Sequence, residues 1–278
     1  MERNLENEVA VVTGGGGVLC SVMARELAAR GAKVVVMSRK QENADAAADA
    51  IREVSDDVLA IAADVLDRDS LLDANEKTRE AFGPCTLLVN GAGGNHPDGN
   101  TAMEFLQQED LTNGTRTFFD LGCEGFSFVF DTNMIGVVQA TQVFARDMAA
   151  TGHGSVINVS SMSAFSPLTK VAAYSAAKAA VNNFTQWLAV HLSGTGVRVN
   201  AIAPGFFLTR QNKDLLTNPD GSYTARGGKV ISQTPMGRYG KPEELLGTLV
   251  WLADQTQSGF VTGVVVPVDG GFNAYSGV

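Results

Sequence analysis

The chain has 278 residues, 45% of them hydrophobic and 18% charged, with a formal net charge of −9. That apolar supply is enough for one large core and excludes wholesale disorder. An acidic balance without any basic block excludes nucleic acid and anionic membrane as partners, but not a small anion held in a local basic pocket.

Short β-branched runs alternate with alanine-rich helical stretches. In chain order, "EVAVVTG" (8–14) reads as a buried strand and "SVMARELAARG" (21–31) as a helix closed by glycine. "AKVVVMS" (32–38) is a strand, "QENADAAADAIREV" (41–54) a helix, "DVLAIAADV" (57–65) a strand and "DSLLDANEKTREAFG" (69–83) a helix. "CTLLVNGAGG" (85–94) is a fourth strand running into a glycine turn. Beyond a long connection come a helix over 128–152, a strand over 154–162, a helix over 172–196 and a strand over 197–205. "KPEELLGTLVWLAD" (241–254) carries proline where a first helical turn tolerates it, and "VTGVVVPVDGG" (261–271) is the last strand.

Strands apolar on both faces, each followed by a helix, specify a parallel sheet covered on both sides. Right-handed crossovers then give a doubly wound α/β Rossmann fold of about seven strands, a single domain over residues 1–278. Two irregular stretches, 95–125 and 206–240, follow strands and would lie at their carboxyl ends, where such sheets bind ligands. Cys20, Cys85 and Cys123 stand far apart without metal-ligand spacing, so reduced thiols and no metal are expected. The N-terminus lacks a signal-peptide pattern and no apolar run approaches the roughly 20 residues of a membrane span, so a cytoplasmic location is expected.

"TGGGGVLC" (13–20) lies between a strand and a helix, where glycines leave the backbone free to approach a phosphate and the helix N-terminus favours its charge. "YSAAK" puts Tyr174 and Lys178 four apart, on one helical face. An ammonium beside a phenol favours the phenolate, so Tyr174 could work as a general acid or base. Ser161, thirteen residues earlier at a strand end, could hold the oxygen that Tyr174 protonates.

These residues, in this order, resemble the short-chain dehydrogenase/reductase family. The likeness runs from Val9 to Gly271 through Thr13–Gly14, Asp64, Asn90-Gly91-Ala92-Gly93, Asn133, Ser161, Tyr174, Lys178, Pro204–Gly205 and Thr209 to "VDGG". It implies that Tyr174 exchanges the proton, Ser161 holds the substrate oxygen, Lys178 depresses the tyrosine pKa and binds the nicotinamide ribose, and Asn133 supports a proton relay. It implies a nucleotide site of Gly14, Gly16, Gly17, Val18, Leu19, Ser38, Arg39, Lys40, Asp64, Val65, Asn90, Gly91, Ala92, Gly93, Tyr174, Lys178, Pro204, Gly205, Phe207 and Thr209. The family's loop pattern departs here, since Val18 and Cys20 stand at glycine positions. At the end of the second strand Ser38 replaces an acid and Arg39–Lys40 follow, which favours NADP(H), with NAD(H) as the alternative. A homotetramer is the usual family assembly.

Within the family, "GAGGNHP", "APGFFLT", "YTARGGK" and "TPMGRYGKPEELLGTLVWL" resemble the D-mannonate oxidoreductases of the short-chain type, or fructuronate reductases. The implied reaction interconverts D-fructuronate and D-mannonate. A gluconate 5-dehydrogenase-like or other ketone reductase is the alternative, and a non-catalytic nucleotide-binding protein a remote one. A sugar acid needs a cation for its carboxylate and polar groups for its hydroxyls. Candidates are Asn95, His96, Ser161, Met162, Arg210 and Arg226, with Arg116, Lys170, Gln211, Asn212 and Lys213 as further polar residues and His96 the foremost. His153 and His191 are expected to be structural, and Phe206 and Phe207 to pack on nicotinamide, substrate or core.

Overall fold

Apolar residues alternate between the two faces of the central strands. The structure, a computed structural model, describes residues 4–209 and 212–277. Strand β1 (Val9–Thr13) sends Ala10 and Val12 to one core and Val11 to another. Strand β2 (Lys33–Ser38) likewise sends Val34 and Val36 one way, Val35 and Met37 the other. Both faces are therefore dry, which demands helices on both sides.

The remaining strands are β3 (Val58–Ala62), β4 (Leu87–Asn90), β5 (Gly154–Val159), β6 (Val197–Pro204) and β7 (Val265–Val268). All pair in parallel in one sheet of order β3-β2-β1-β4-β5-β6-β7. The first core is closed by α1 (Val18–Ala29), α2 (Gln41–Arg52) and α9 (Leu246–Ala253). The second is closed by α3 (Arg68–Phe82), α5 (Gly136–Thr151) and α6 (Ala172–His191). The order reverses between β1 and β4, so the crevice beyond their carboxyl ends is the ligand position of such a sheet.

Several boundaries differ from the sequence pattern. Helix α1 starts at Val18 rather than 21, so Val18 and Cys20 lie in its first turns. The helix expected from 128 begins at Cys123, inside the stretch read as an insertion, as α4 (Cys123–Phe130). A π-helical turn, Asp131–Ile135, separates α4 from α5. The stretch 206–240 contains α7 (Lys213–Leu216) and α8 (Ala225–Ser232). The segment 241–254 opens with a 3-10 turn, Pro242–Leu245, before α9, and a short α10 (Gln255–Ser258) follows. Strands β3, β4, β5 and β7 are shorter than their apolar runs, because ladder pairing stops where the chain turns into loops.

His153 lies 3.1 Å from Glu8 at the opposite end of the sheet, and His191 stacks on Trp187 at 4.9 Å. Among the described residues no helix is long and apolar enough to cross a membrane, and no group of His, Cys, Asp and Glu could hold a metal ion.

Candidate active site

The loop after β1 and the loop after β4 meet at the switch point through one hydroxyl. Thr13 Oγ1 accepts the backbone N–H groups of Gly91 at 3.1 Å and Ala92 at 3.2 Å. Gly14 has φ +64°, and a Cβ there would stand 2.8 Å from Ala92, so only glycine fits. Cys20 Sγ occupies the place that a Cβ on Gly91 would take. The thiol thus fills the space left by a glycine on the neighbouring loop, which explains how helix α1 packs without a glycine of its own. Burial raises the Cys20 pKa to about 11, against a weaker pull from Lys178, so it is a neutral packing group.

Helix α1 opens at Gly17 with no side-chain cap and no acid in its first turn, whereas Asp67 caps α3. Its free N–H groups face a cleft of about 780 Å³. A phosphate fits such a cradle, because Gly14, Gly16 and Gly17 line the cleft and a Cβ on Gly16 would collide with Asn43 at 2.9 Å.

Beyond these glycines, Val18 and Leu19 continue the floor and Ser38, Arg39 and Lys40 stand at one end. Asp64 and Val65 form a side wall, with Gly91, Ala92 and Gly93 opposite. Tyr174, Lys178, Pro204, Gly205, Phe207 and Thr209 complete the other end. Asn90 does not reach the wall. It is buried beneath it, donating to Thr141 at 3.0 Å and Asn158 at 2.9 Å. Sequence reasoning does not single out Asn43 or Thr132 as lining residues, since neither belongs to a turn with a recognisable pattern. Asn212 also lines the cleft, accepting the N–H of Thr209 at 2.8 Å.

At the β5 end, Ser161 caps the 3-10 turn Met162–Ala164 and lines the cleft together with Tyr174. Burial raises the Tyr174 pKa above its usual 10, and the Ser161 side chain pulls the other way. Lys178 is not among the groups that move it. Lys178 Nζ lies 5.7 Å from the tyrosine ring and donates to the Val159 carbonyl at 2.8 Å. Burial lowers the Lys178 pKa to about 8.

Asn133 sits in the π turn. Its Nδ2 donates to the carbonyls of Val129 at 2.8 Å and Gly94 at 2.6 Å, while Oδ1 accepts the Gly94 N–H at 3.2 Å. It clamps the β4 loop beside Lys178, whose Nζ is 3.4 Å from where a Cβ on Gly93 would be.

The expected substrate residues divide. Met162 is core, 2% exposed. His96 turns into its own loop, accepting the Asp98 N–H at Nδ1 (3.2 Å) and packing on Phe128 at 4.7 Å. Asn95 donates to Asn100, and Arg116 is engaged by Asp98 and the Pro97 carbonyl. Arg210 and Gln211 lie outside the described residues. Lys170 has φ +71°, and its carbonyl accepts the Thr101 N–H at 3.0 Å. Arg226 is exposed in the first turn of α8, which Lys229 ties to Glu104 of the 95–125 stretch at 2.8 and 2.9 Å.

The short chain dehydrogenase family model matches residues 8–220. An uncharacterized Bacillus subtilis oxidoreductase, UxuB, is 56% identical over 278 residues, covering 100% of this chain and 99% of that one. A Haemophilus structure with NAD bound, provisionally assigned as a D-mannonate oxidoreductase, has a TM-score of 0.94 at 49% identity and covers 99% of this chain and 98% of that one. A gluconate 5-dehydrogenase from Burkholderia cenocepacia, in complex with NADP and tartrate, has a TM-score of 0.81 at 28% identity, covering 99% and 98%. The chain belongs to the short-chain dehydrogenase family and is an NAD(P)-dependent oxidoreductase.

Proposed function

We propose that this enzyme interconverts D-fructuronate and D-mannonate with NADP(H), acting in the cytoplasm as a homotetramer. The observation that carries the reading is that the polar 95–125 stretch packs on the start of the Tyr174 helix, with Gly99 against Ala173 and the Thr101 N–H on the Lys170 carbonyl at 3.0 Å, and is tied to α8 through Lys229 and Glu104. The likeness to the Haemophilus protein and to an enzyme crystallised with tartrate, a hydroxy acid, points the same way.

The glycine loop and the α1 N-terminus would hold the pyrophosphate, Asp64 and Val65 the adenine, and the Pro204–Thr209 stretch the nicotinamide. When bound, the nicotinamide supplies or takes the hydride at the carbinol carbon. Tyr174, held protonated at neutral pH by its burial, gives its proton to the carbonyl oxygen as that oxygen gains charge. Ser161 donates a hydrogen bond to the same oxygen. Lys178 places a cation behind the phenol, and Asn133 fixes the Gly94 turn. A protonated Tyr174 serves reduction at neutral pH, and oxidation requires the phenolate and gains with rising pH.

Ser38, Arg39 and Lys40 line the adenosine end with no carboxylate at the close of β2, which suits a 2′-phosphate. A panel of D-fructuronate, 5-keto-D-gluconate and an acyl ketone, each with NADPH and NADH, tests both choices. D-fructuronate with NADPH is expected to turn over fastest, and preferential use of 5-keto-D-gluconate would replace the substrate assignment. Arg39→Ala is expected to raise the KM for NADPH about tenfold or more and leave that for NADH within about twofold, as loss of one charge-assisted bond implies. An unchanged NADPH KM would leave NAD(H), the nucleotide of the Haemophilus structure, as the cofactor.

For the substrate carboxylate, the local bonds of His96 and Arg116 point to Lys170 and Arg226 among the described residues. A non-glycine residue held at positive φ immediately before the catalytic helix is the kind of strain that active sites retain. Lys170→Met and Arg226→Met are each expected to raise the aldonate KM about tenfold with kcat within about threefold. Unchanged KM values in both variants would move the carboxylate elsewhere.

A further inference from the structure

Ser163 is 1% exposed and has no part in the motif that identifies the site. Its backbone N–H donates to Ser161 Oγ at 3.2 Å, and its hydroxyl reaches the same oxygen at 3.0 Å. The first bond is the capping bond that a serine before a 3-10 turn ordinarily makes. The second is not required by the turn, because alanine at 163 would leave the cap intact. A buried hydroxyl is costly to keep unless its hydrogen bond is used.

A serine oxygen has two lone pairs and one proton. With the Ser163 N–H and O–H both directed at it, Ser161 Oγ has filled its acceptor positions and can interact further only by donating. The remaining neighbour is the Tyr174 side chain, which lines the same cleft and whose pKa the Ser161 side chain pulls down. The Tyr174 O–H then cannot donate to Ser161 and is left for the substrate oxygen. Each donor to Ser161 Oγ also polarises its O–H bond and strengthens the bond it gives.

We propose that Ser163 is a positioning residue for the reaction: by filling the acceptor positions of Ser161 it turns the Ser161 proton outward, toward Tyr174 and the substrate oxygen. This rests on the assignment of Ser161 and Tyr174 as catalytic residues. Without the Ser163 hydroxyl, Ser161 regains an acceptor position and can accept a hydrogen bond from the Tyr174 O–H, which stabilises the neutral phenol.

The test is a double-mutant cycle of Ser161→Ala and Ser163→Ala, read in D-fructuronate reduction with NADPH. Ser163→Ala alone is expected to lower kcat about fivefold, the loss of one neutral hydrogen bond, with the nucleotide KM unchanged. In the Ser161→Ala background the same change is expected to have no effect beyond about twofold. An equal loss in both backgrounds overturns the proposal. Full turnover in Ser161→Ala overturns instead the assignment on which it rests.

A readout free of substrate is the NMR titration of ring-labelled tyrosine, with Tyr174 assigned through Tyr174→Phe. Ser163→Ala is expected to move its midpoint to higher pH, and the acidic limb of D-mannonate oxidation with it. An unmoved midpoint also overturns the proposal. If Ser163→Ala does not accumulate as folded protein, Ser163→Cys, of similar volume and a weaker donor, replaces it in both measurements.

Discussion

Replacing Tyr174 by phenylalanine is expected to lower kcat about a thousandfold while nucleotide binding stays within about twofold. The ring packs, as Phe126 and Phe130 do, against the buried cluster of Val129, Ala173 and Ala177, so it remains in place when its oxygen is removed. What disappears is the O–H that meets the developing charge on the substrate oxygen. General acid catalysis contributes about 10² to 10⁴ in rate, or roughly 3 to 5 kcal/mol of the barrier. Ser161 still donates its hydrogen bond in the variant but cannot replace the proton transfer. Steady-state turnover, fluorescence titration with nucleotide and a thermal melt distinguish lost chemistry from lost fold. Full turnover in Tyr174→Phe would place the proton donor elsewhere.

The sheet and its switch point were legible because their signals are local. Alternating valines such as Val34, Val35 and Val36 state that both faces are buried, and that forces the two helical layers. The order Ser161, Tyr174, Lys178 was legible because the chemistry itself requires those residue types at those spacings. The start of α4 was not, because glycines at 122 and 125 weaken any helical signal there. The π turn was not, because it depends on Asn133 donating to the Val129 carbonyl and Thr132 to the Phe128 carbonyl, in competition with the helical ladder. Helix α8 carries two adjacent glycines. It is held by the Thr224 cap and by the Tyr239 hydroxyl donating to the Gly227 carbonyl, a contact from 12 residues away.

His96 shows what an address in the sequence leaves out. A histidine after a glycine turn at a strand end has the right address for a ligand, yet its ring is engaged by Asp98 two residues on. Cys20 looked like damage to the glycine loop. It is a compensation visible only once Gly91 is placed against it.

Lys178→Met is expected to cost about a hundredfold or more in turnover and yet to raise the melting temperature at pH 7. Lys178 is 4% exposed, and its ammonium has one described hydrogen bond, to the Val159 carbonyl at 2.8 Å. Burial takes its pKa from 10.5 to about 8, with the Cys20 thiol its only opposing neighbour of note. Below pH 8 lysine is charged in both folded and unfolded states, so the folded state bears the full burial penalty. Between about pH 8 and 10.5 the folded state has released the proton and the unfolded state has not, so stability from this group rises with pH. The penalty at pH 7 is about 3 kcal/mol at 1.36 kcal/mol per pH unit. Methionine removes it and gives up a hydrogen bond of about 1 kcal/mol, leaving a net gain of about 2 kcal/mol. For a protein of this size that is a rise of roughly 4 to 8 °C, shrinking as the pH approaches 10. A variant that melts lower at pH 7 would mean that the ammonium is a structural tie. A stabilised and inactive one would mean that the fold tolerates a buried cation because the reaction needs it there.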